Sequence, residues 1–458
     1  MSTTSDTMDT AAANEAVIRA VEKGKAASAT LAALPHEQRN RALRNAAEHL
    51  AARESAIIEA NEGDLAQAEK QVKEGTLNHS LLHRLKLNSS KLRDVIVGIT
   101  QVTEQQDPLS RVTLSRELDE GLALYRVSCP IGLIAVIFES RPDALPQITS
   151  LCLKSGNGVI LKGGSEARLT NRVLFDCFRA GMHKAGLPTD AIALVETREA
   201  IKVLLDADQL IDLVVPRGSN QLVSYIQANT RIPVLGHAEG ICHMYVDRKA
   251  DIVMAVKITI DAKTQYPAAC NSVETLLLHE GVALPFMQAL AAELQSTNQA
   301  IRLLCDKRTM ALIPEGFPLI LEPAKEEDWS TEYGEETLSV KTVDTLSDAI
   351  VHINKYGSHH TEAIITSDRG AFDTFFAQVN SAGVFWNAST RFADGFRYGF
   401  GAEVGISTGK LHPRGPVGLE GLVTYKYKVV GKGHIVADYV GDEARKFTHV
   451  DIEDHSAQ

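Results

Sequence analysis

Cys270 lies in the stretch Asp261-Ala-Lys-Thr-Gln-Tyr-Pro-Ala-Ala-Cys270-Asn-Ser-Val-Glu-Thr-Leu-Leu-Leu-His279, after a helical run and before an apolar, β-prone one. That position suits a nucleophile. Pro267 stiffens the approach, and the small residues Ala268 and Ala269 let a substrate come close. The attacking species is the thiolate, which a loop at the mouth of a strand supports better than an apolar core does. The competing reading is structural, because free cysteine is among the most buried residue types. Asn271 and Ser272 stand where a core cysteine would have aliphatic company, and they favour chemistry.

Two turns could hold an anion. Lys162-Gly163-Gly164-Ser165 and Pro216-Arg217-Gly218-Ser219 each follow a strand pattern and open a helix pattern. A glycine turn at a helix start offers backbone N–H groups and the positive end of the dipole, and Lys162 and Arg217 add charge. Neither turn matches G-x-G-x-x-G or G-x-x-x-x-G-K-[ST], so each alone also reads as an ordinary helix cap. Two of them on strand ends of one sheet favour a nucleotide. A third cluster, Asn387, Ser389, Thr390 and Arg391 with His412 and Arg414 further on, combines hydroxyls with planar cations that suit a carboxylate or a phosphate. A solvated loop is its alternative. His237, His243, His359 and His360 form no metal-ligand spacing with any cysteine, so they read as structural or solvent-facing, with no metal.

These residues need elements to carry them, and 458 residues at 44% hydrophobic content suffice for two or three domains. With 47 Lys plus Arg against 58 Asp plus Glu, the net charge is -11 and no basic face is concentrated enough for nucleic acid. No apolar run reaches membrane-helix length, and residues 1–13 lack the features of a signal or transit peptide. The six cysteines contain no C-x-x-C pair and read as reduced thiols of a cytoplasmic protein.

Along the chain, a disordered tip precedes helical patterns at 15–34, 36–71 and 78–102. Alternating runs on both sides of Asp119-Glu-Gly121 predict a hairpin over 111–129. From 131 to 220 apolar β-branched runs alternate with helices, which implies a parallel sheet covered on both faces, with ligands beyond its carboxyl ends. A second α/β series runs from 251 to 389, with strands at 273–278, 301–304, 338–343, 362–366 and 384–387. A glycine-rich loop region at 395–421 leads into an exposed alternating strand at 422–430. The expected fold is α/β, two parallel-sheet domains with a small β flap.

Taken together, Phe138-Glu-Ser-Arg-Pro-Asp143, Leu161-Lys-Gly-Gly164, Pro216-Arg-Gly-Ser219, Ala262-Lys-Thr-Gln265, Cys270-Asn-Ser-Val-Glu-Thr275, Asn387-Ala-Ser-Thr-Arg-Phe392, Gly401-Ala-Glu-Val404 and His412-Pro-Arg-Gly-Pro416 resemble the aldehyde dehydrogenase superfamily. Within it they are most similar to the branch of the γ-glutamyl phosphate reductases (glutamate-5-semialdehyde dehydrogenases). The resemblance covers about 12 to 427 and implies an NADPH-dependent oxidoreductase of proline biosynthesis. It would reduce L-glutamyl 5-phosphate to glutamate 5-semialdehyde and phosphate through a Cys270 thioester. It also implies a nucleotide-binding domain over 1–110 and 130–248, completed by 390–416, a catalytic domain over 249–389, and an oligomerisation flap from 111–129 and 417–458. By the same resemblance, Cys270 is the nucleophile, with Asn271 as its catalytic neighbour. Lys162, Gly163, Gly164, Ser165, Pro216, Arg217, Gly218, Ser219 and Glu332 contact the cofactor; Arg141, Asn387, Ser389, Thr390, Arg391 and Arg414 contact the substrate. A homodimer or larger homo-oligomer and a glutamate 5-kinase that hands over the unstable acyl phosphate are the partners it implies. Two departures stand out: the tail to Gln458 is long, and the superfamily's Glu-Leu-Gly-Gly, which supplies a general base, reads Gly236-His-Ala-Glu239. The alternatives are a hydrolytic aldehyde dehydrogenase acting on another semialdehyde, and a nucleotide-binding protein that has lost catalysis.

Overall fold

A computed structural model describes residues 3–76, 79–197, 199–237, 239–314 and 316–452. The chain divides into two compact units, Met1–Leu235 with Gly401–Gly405 and Val417–Gln458, and Gly236–Phe400 with Ile406–Pro416.

The first unit opens with helices α1 (Thr3–Ala32), α2 (His36–Ala52), α3 (Glu54–Lys73), α4 (His79–Leu85) and α5 (Ser89–Glu104). Helix α1 starts well before the pattern at Glu15, because the Ala-rich run at 11–13 continues it backwards where a disordered tip was expected. Pro35, extended at ψ 146°, separates α1 from α2. Asn88 caps α5 by accepting the Lys91 N–H. Strands β1 (Val112–Asp119) and β2 (Leu122–Pro130) form the expected hairpin, with Gly121 at φ 76° supplying the left-handed turn position.

Then β3 (Leu133–Phe138), α6 (Ala144–Lys154), β4 (Gly158–Gly163), α7 (Arg168–Ala185), β5 (Ile192–Leu194), α8 (Ala200–Asp206), β6 (Leu213–Arg217) and α9 (Asn220–Ala228) alternate as the sequence predicts. The sheet order is β5-β4-β3-β6, all parallel. Ile134, Val136 and Phe138 pack into one apolar cluster while Leu133, Ala135 and Ile137 pack into another. Both faces of β3 are therefore covered, which is why its sequence is an unbroken apolar run rather than an alternating one.

The second unit contains β7 (Cys242–Val246), α10 (Ile252–Thr264), β8 (Val273–His279), α11 (Glu280–Thr297), β9 (Arg302–Cys305), α12 (Lys307–Leu312), β10 (Leu321–Pro323), β11 (Thr337–Val343), α13 (Leu346–Tyr356), β12 (Thr361–Ile365), α14 (Arg369–Gln378) and β13 (Gly383–Trp386). Its sheet runs β10-β9-β11-β8-β7-β12-β13, parallel throughout. The break expected after residue 248 falls at 235/236 instead. The reason is β7, which pairs with β8 and β12 and so belongs to this sheet. Residues 390–400 and 406–416, expected to complete the nucleotide domain, also fall in this unit; Ala393, for example, accepts a hydrogen bond from Asn271.

The chain continues through the short strands β14 (Gly405–Ser407) and β15 (Gly415–Val417) to β16 (Val423–Val430) and β17 (Val450–Asp451). A four-stranded sheet in the first unit, β16-β2-β1-β17, gathers the hairpin and the C-terminal segment. The long tail has a defined course there. Tyr439 Oη donates to Asp119 at 2.8 Å, Thr448 N–H donates to the Leu118 carbonyl at 2.8 Å, and Arg116 pairs with Asp451 at 2.7 Å. The tail thus covers the outer edge of β1, which would otherwise present unpaired backbone groups. No described helix is long and apolar enough to cross a membrane.

Candidate active site

In the first unit the chain steps from β3 to β4 to β5, then returns to place β6 on the other side of β3. Such a reversal opens a crevice at the carboxyl ends of the strands. Register puts both glycine turns there, since Phe138 pairs with Gly163 on one side and with Arg217 on the other. Lys162 is 5% exposed and its Nζ donates to the Gly163 carbonyl at 2.6 Å. Burial holds its pKa below the ordinary lysine value, while Glu166 and Glu196 oppose the shift.

The turns differ from a bare anion cradle. Ser219 N–H donates to Glu139 Oε2 at 2.9 Å, and the Ser219 hydroxyl caps α9 by accepting from Leu222. Glu166 Oε1 accepts from the Ser140 backbone at 2.6 Å and from its hydroxyl at 2.7 Å. A Cβ on Gly164 would run into the Glu166 carboxylate, and one on Gly218 into Glu139. The glycines therefore admit carboxylates, which were not among the predicted residues. A small recess lined by Gly163, Gly164, Ser165 and Glu196 adjoins them. A lysine, a serine and acceptor carboxylates around a recess at a strand reversal fit a dinucleotide, whose ribose hydroxyls donate and whose phosphates accept. Arg141, in this unit, lies 4.0 Å from Asp143.

In the second unit Cys270 precedes β8, at the amino edge of its sheet, not at the carboxyl edge used by the first. Cys270 is half-buried and its carbonyl accepts from Cys242 Sγ at 3.4 Å. Among the described residues no acceptor takes its backbone N–H. Beneath it, the fully buried Lys263 and Glu274 pair at 2.6 Å and tie α10 to β8; burial pushes the Glu274 carboxyl up to about 7.

Asn271 is 4% exposed and donates through Nδ2 to the Ala393 carbonyl at 2.9 Å, so one of its two amide hydrogens fixes the cysteine loop. Arg391, 7% exposed, donates through Nε to Gln265 Oε1 at 2.9 Å and lies over the Tyr266 ring. It thus sits on the loop leading to the cysteine. Burial lowers its pKa, with Arg397 next in effect. Ser389 accepts from Arg391 N–H and starts a short helical turn, and Thr390 is fully buried. Arg414 donates weakly to Asn380 at 3.3 and 3.4 Å, before β13. Glu332 is half-buried before β11, within electrostatic reach of Glu274.

One predicted substrate contact has a partner within the protein, and one reading of the histidines is corrected. Asn387 is tied within the protein: its Oδ1 accepts the Thr366 N–H at 2.9 Å and its Nδ2 donates to the Thr366 carbonyl at 3.0 Å, which clamps β12 to β13. His237 and His360, read as structural or solvent-facing, converge on Cys270, with one ligand atom from each of His237, Cys270 and His360 within 4.8 Å of one another. Sequence spacing could not show this, because the two imidazoles come from the lead into β7 and from the residue before β12. Gly240 was also missed. A Cβ there would lie closer than 3.0 Å to the Cys270 backbone.

The aldehyde dehydrogenase family model matches residues 3–304. A γ-glutamyl phosphate reductase from Pelotomaculum thermopropionicum is 56% identical over 93% of this chain and 95% of its own. One from Synechococcus sp. is 51% identical over 98% and 97%. The crystal structure of γ-glutamyl phosphate reductase from Thermotoga maritima superposes with a TM-score of 0.86 at 36% identity, over 92% of this chain and 99% of that one. The expected fold class is borne out, and so is the resemblance: the chain belongs to the γ-glutamyl phosphate reductases of the aldehyde dehydrogenase family.

Proposed function

We propose that the chain reduces L-glutamyl 5-phosphate to L-glutamate 5-semialdehyde and phosphate, the second step of proline synthesis from glutamate, with NADPH as the hydride donor. What carries this reading is the surrounding of Cys270. Among the described residues, the group whose ligand atoms lie within 4.8 Å of one another at Cys270 is completed by two imidazoles, and Glu239 is exposed. That arrangement suits acyl transfer from a phosphate better than hydrolysis.

The Cys270 thiolate attacks the acyl carbon, the carbon–oxygen bond to phosphate breaks, and phosphate leaves with the electron pair. Phosphate, with a second pKa near 6, leaves without a strong general acid. The backbone N–H of Cys270 donates to the oxygen on which charge develops, and Asn271 keeps that N–H in place through Ala393. Lys162, Ser165 and the carboxylates at the first sheet's reversal would hold the dinucleotide, and a bound NADPH would supply the hydride that reduces the thioester to a thiohemiacetal. Collapse of that adduct expels the Cys270 thiolate and releases the aldehyde. Arg391, already on the loop before the cysteine, and Arg414 are the second unit's candidates for the substrate's anionic groups. Arg141 is the first unit's candidate. A kinase that makes the acyl phosphate nearby in the cytoplasm would limit its hydrolysis.

The test is run in reverse. Reduction of NADP⁺ by the semialdehyde should require inorganic phosphate, and phosphate-independent reduction would support the hydrolytic alternative instead. A companion result is expected for Glu239→Gln, which should keep most of the phosphate-dependent activity. Removal of a true general base costs about 10²–10⁴-fold, so a fall of that size in kcat at unchanged NADPH affinity would overturn the reading.

The flap sheet supports self-association. Every residue of β2 is only half-buried, and β16 is exposed from Thr424 onward, with Tyr425 at 53% and Tyr427 at 58%. A small sheet that covers neither face is marginal alone. Removing residues 417–458 should therefore give monomers or insoluble protein by light scattering. Elution at the oligomer size of the full chain would refute an intersubunit role.

A further inference from the structure

We propose that Cys270, His237 and His360 form a binding site for a zinc-type divalent ion, and that occupancy reversibly silences the nucleophile. The site is a thiol with two imidazoles whose ligand atoms lie within 4.8 Å of one another. Zinc takes thiolate sulfur at about 2.3 Å and imidazole nitrogen at about 2.0–2.1 Å in a tetrahedron, so neighbouring ligand atoms must come to about 3.3–3.7 Å. Side-chain rotation of roughly 1 Å closes the set.

The tautomers are already arranged for this. His237 Nδ1 lies 3.1 Å from the Ile406 carbonyl oxygen, which only accepts, so Nδ1 carries the proton and Nε2 the lone pair. His360 Nδ1 lies 2.9 Å from Thr361 Oγ1, which leaves its Nε2 as the ligand atom. Metal-binding histidines are oriented in this way, one nitrogen tied to the protein and the other to the ion. His360 adds an independent sign. It is 1% exposed, and its Nε2 has no hydrogen-bond partner among the described residues. A buried polar atom left unsatisfied is uncommon and calls for an explanation, and coordination of an ion provides one.

Three protein ligands leave a fourth position for water or an anion, unlike a closed structural site. The ion is not a catalytic one, because it would occupy the sulfur needed for attack. Binding displaces the thiol proton and forms a sulfur–metal bond with no change in oxidation state. Coordination itself does not depend on the proposed activity; the inhibition does.

Cobalt(II) added to the metal-free full-length protein is the probe. One equivalent should bind and produce the near-ultraviolet charge-transfer band of a thiolate–cobalt bond. Cys270→Ser should abolish that band, and both His237→Gln and His360→Gln should weaken binding by at least about tenfold. Because His360 is buried, His237→Gln, on a half-buried loop, serves as the variant that keeps its fold, checked by circular dichroism. Cys129→Ser should leave the band unchanged. Zinc should inhibit turnover at the concentration at which it displaces cobalt, and a chelator should restore it. No band, a band that survives Cys270→Ser, or binding unaltered in both histidine variants would overturn the site. Binding through Cys270 in a protein without phosphate-dependent activity would uphold the site and refute the proposed function.

Discussion

Cys270→Ala is expected to lower turnover by about 10⁴-fold or more, the scale on which loss of a covalent nucleophile is felt, while the unfolding temperature and dinucleotide affinity stay where they are. The separation follows from how the residue is held. Its loop is fixed by backbone and amide contacts, with Ser272 N–H on the Ala269 carbonyl at 2.8 Å and Asn271 on Ala393, and none of these uses the sulfur. The residues expected to contact the dinucleotide, Glu332 apart, lie in the first unit, and none of them is changed. Stopped-flow turnover with NADPH, fluorescence titration of NADPH and thermal unfolding would be measured on the same preparation. Cys152, Cys177, Cys242 and Cys305 are buried, whereas Cys129 and Cys270 are half-buried. A thiol reagent should therefore add one label fewer to the variant by mass. Turnover above about a hundredth of wild type, or an unchanged label count, would defeat the assignment.

The two sheets were legible because their strands are buried on both faces. Leu133–Phe138 reads as an unbroken apolar run and Val273–His279 carries the apolar block Leu276–Leu278, and length with flanking turns separates such runs from helices. The hairpin was legible for a different reason, since only a glycine takes the left-handed position at 121 without strain. What failed was assignment across long separations. Strand β7 looks locally like one more strand of the first series, and its pairing with β8 and β12 places it in the second sheet. Strand β10 is three residues long and carries no alternation to recognise.

The candidate site divides in the same way. Cys270 was visible from its neighbours, because small and polar residues beside a thiol conflict with a core environment. Asn387 shows that an amide after a strand has the chemistry of a ligand and equally that of a clamp; its two bonds to Thr366 are those of a clamp. Glu139 and Glu166 were passed over because anion binding was sought and carboxylates repel anions. They become intelligible once ribose hydroxyls, not phosphates alone, are considered. The histidines could not have been found from spacing, since no local motif joins the lead into β7 with the start of β12. The chemistry of the site is thus written locally in the cysteine loop, and its surroundings are set by sheet topology.

Gly240→Ala tests how tightly that topology holds the nucleophile. The glycine lies in the lead into β7 and is buried, and an added methyl would sit closer than 3.0 Å to the Cα, carbonyl carbon and carbonyl oxygen of Cys270. These are backbone atoms, so no side-chain rotation relieves the clash and one of the two segments must move. Moving the cysteine segment disturbs the N–H proposed for the oxyanion and the Cys242 contact to its carbonyl; moving the other displaces His237. A shift of about 1 Å at a reacting group costs about 10²-fold in rate, and overpacking of a well-filled region costs about 1–3 kcal/mol. The variant should therefore fold with a lowered unfolding temperature and lose about 10²-fold in kcat. Gly98→Ala is the control, since a methyl there meets nothing within 4 Å on helix α5, and alanine in a helix interior stabilises by about 0.5–1 kcal/mol over glycine. It should raise the unfolding temperature and leave kcat unchanged. A Gly240→Ala protein with wild-type kcat and wild-type stability would mean that the two segments are not in the contact described, and the positioning of Cys270 would have to be sought elsewhere.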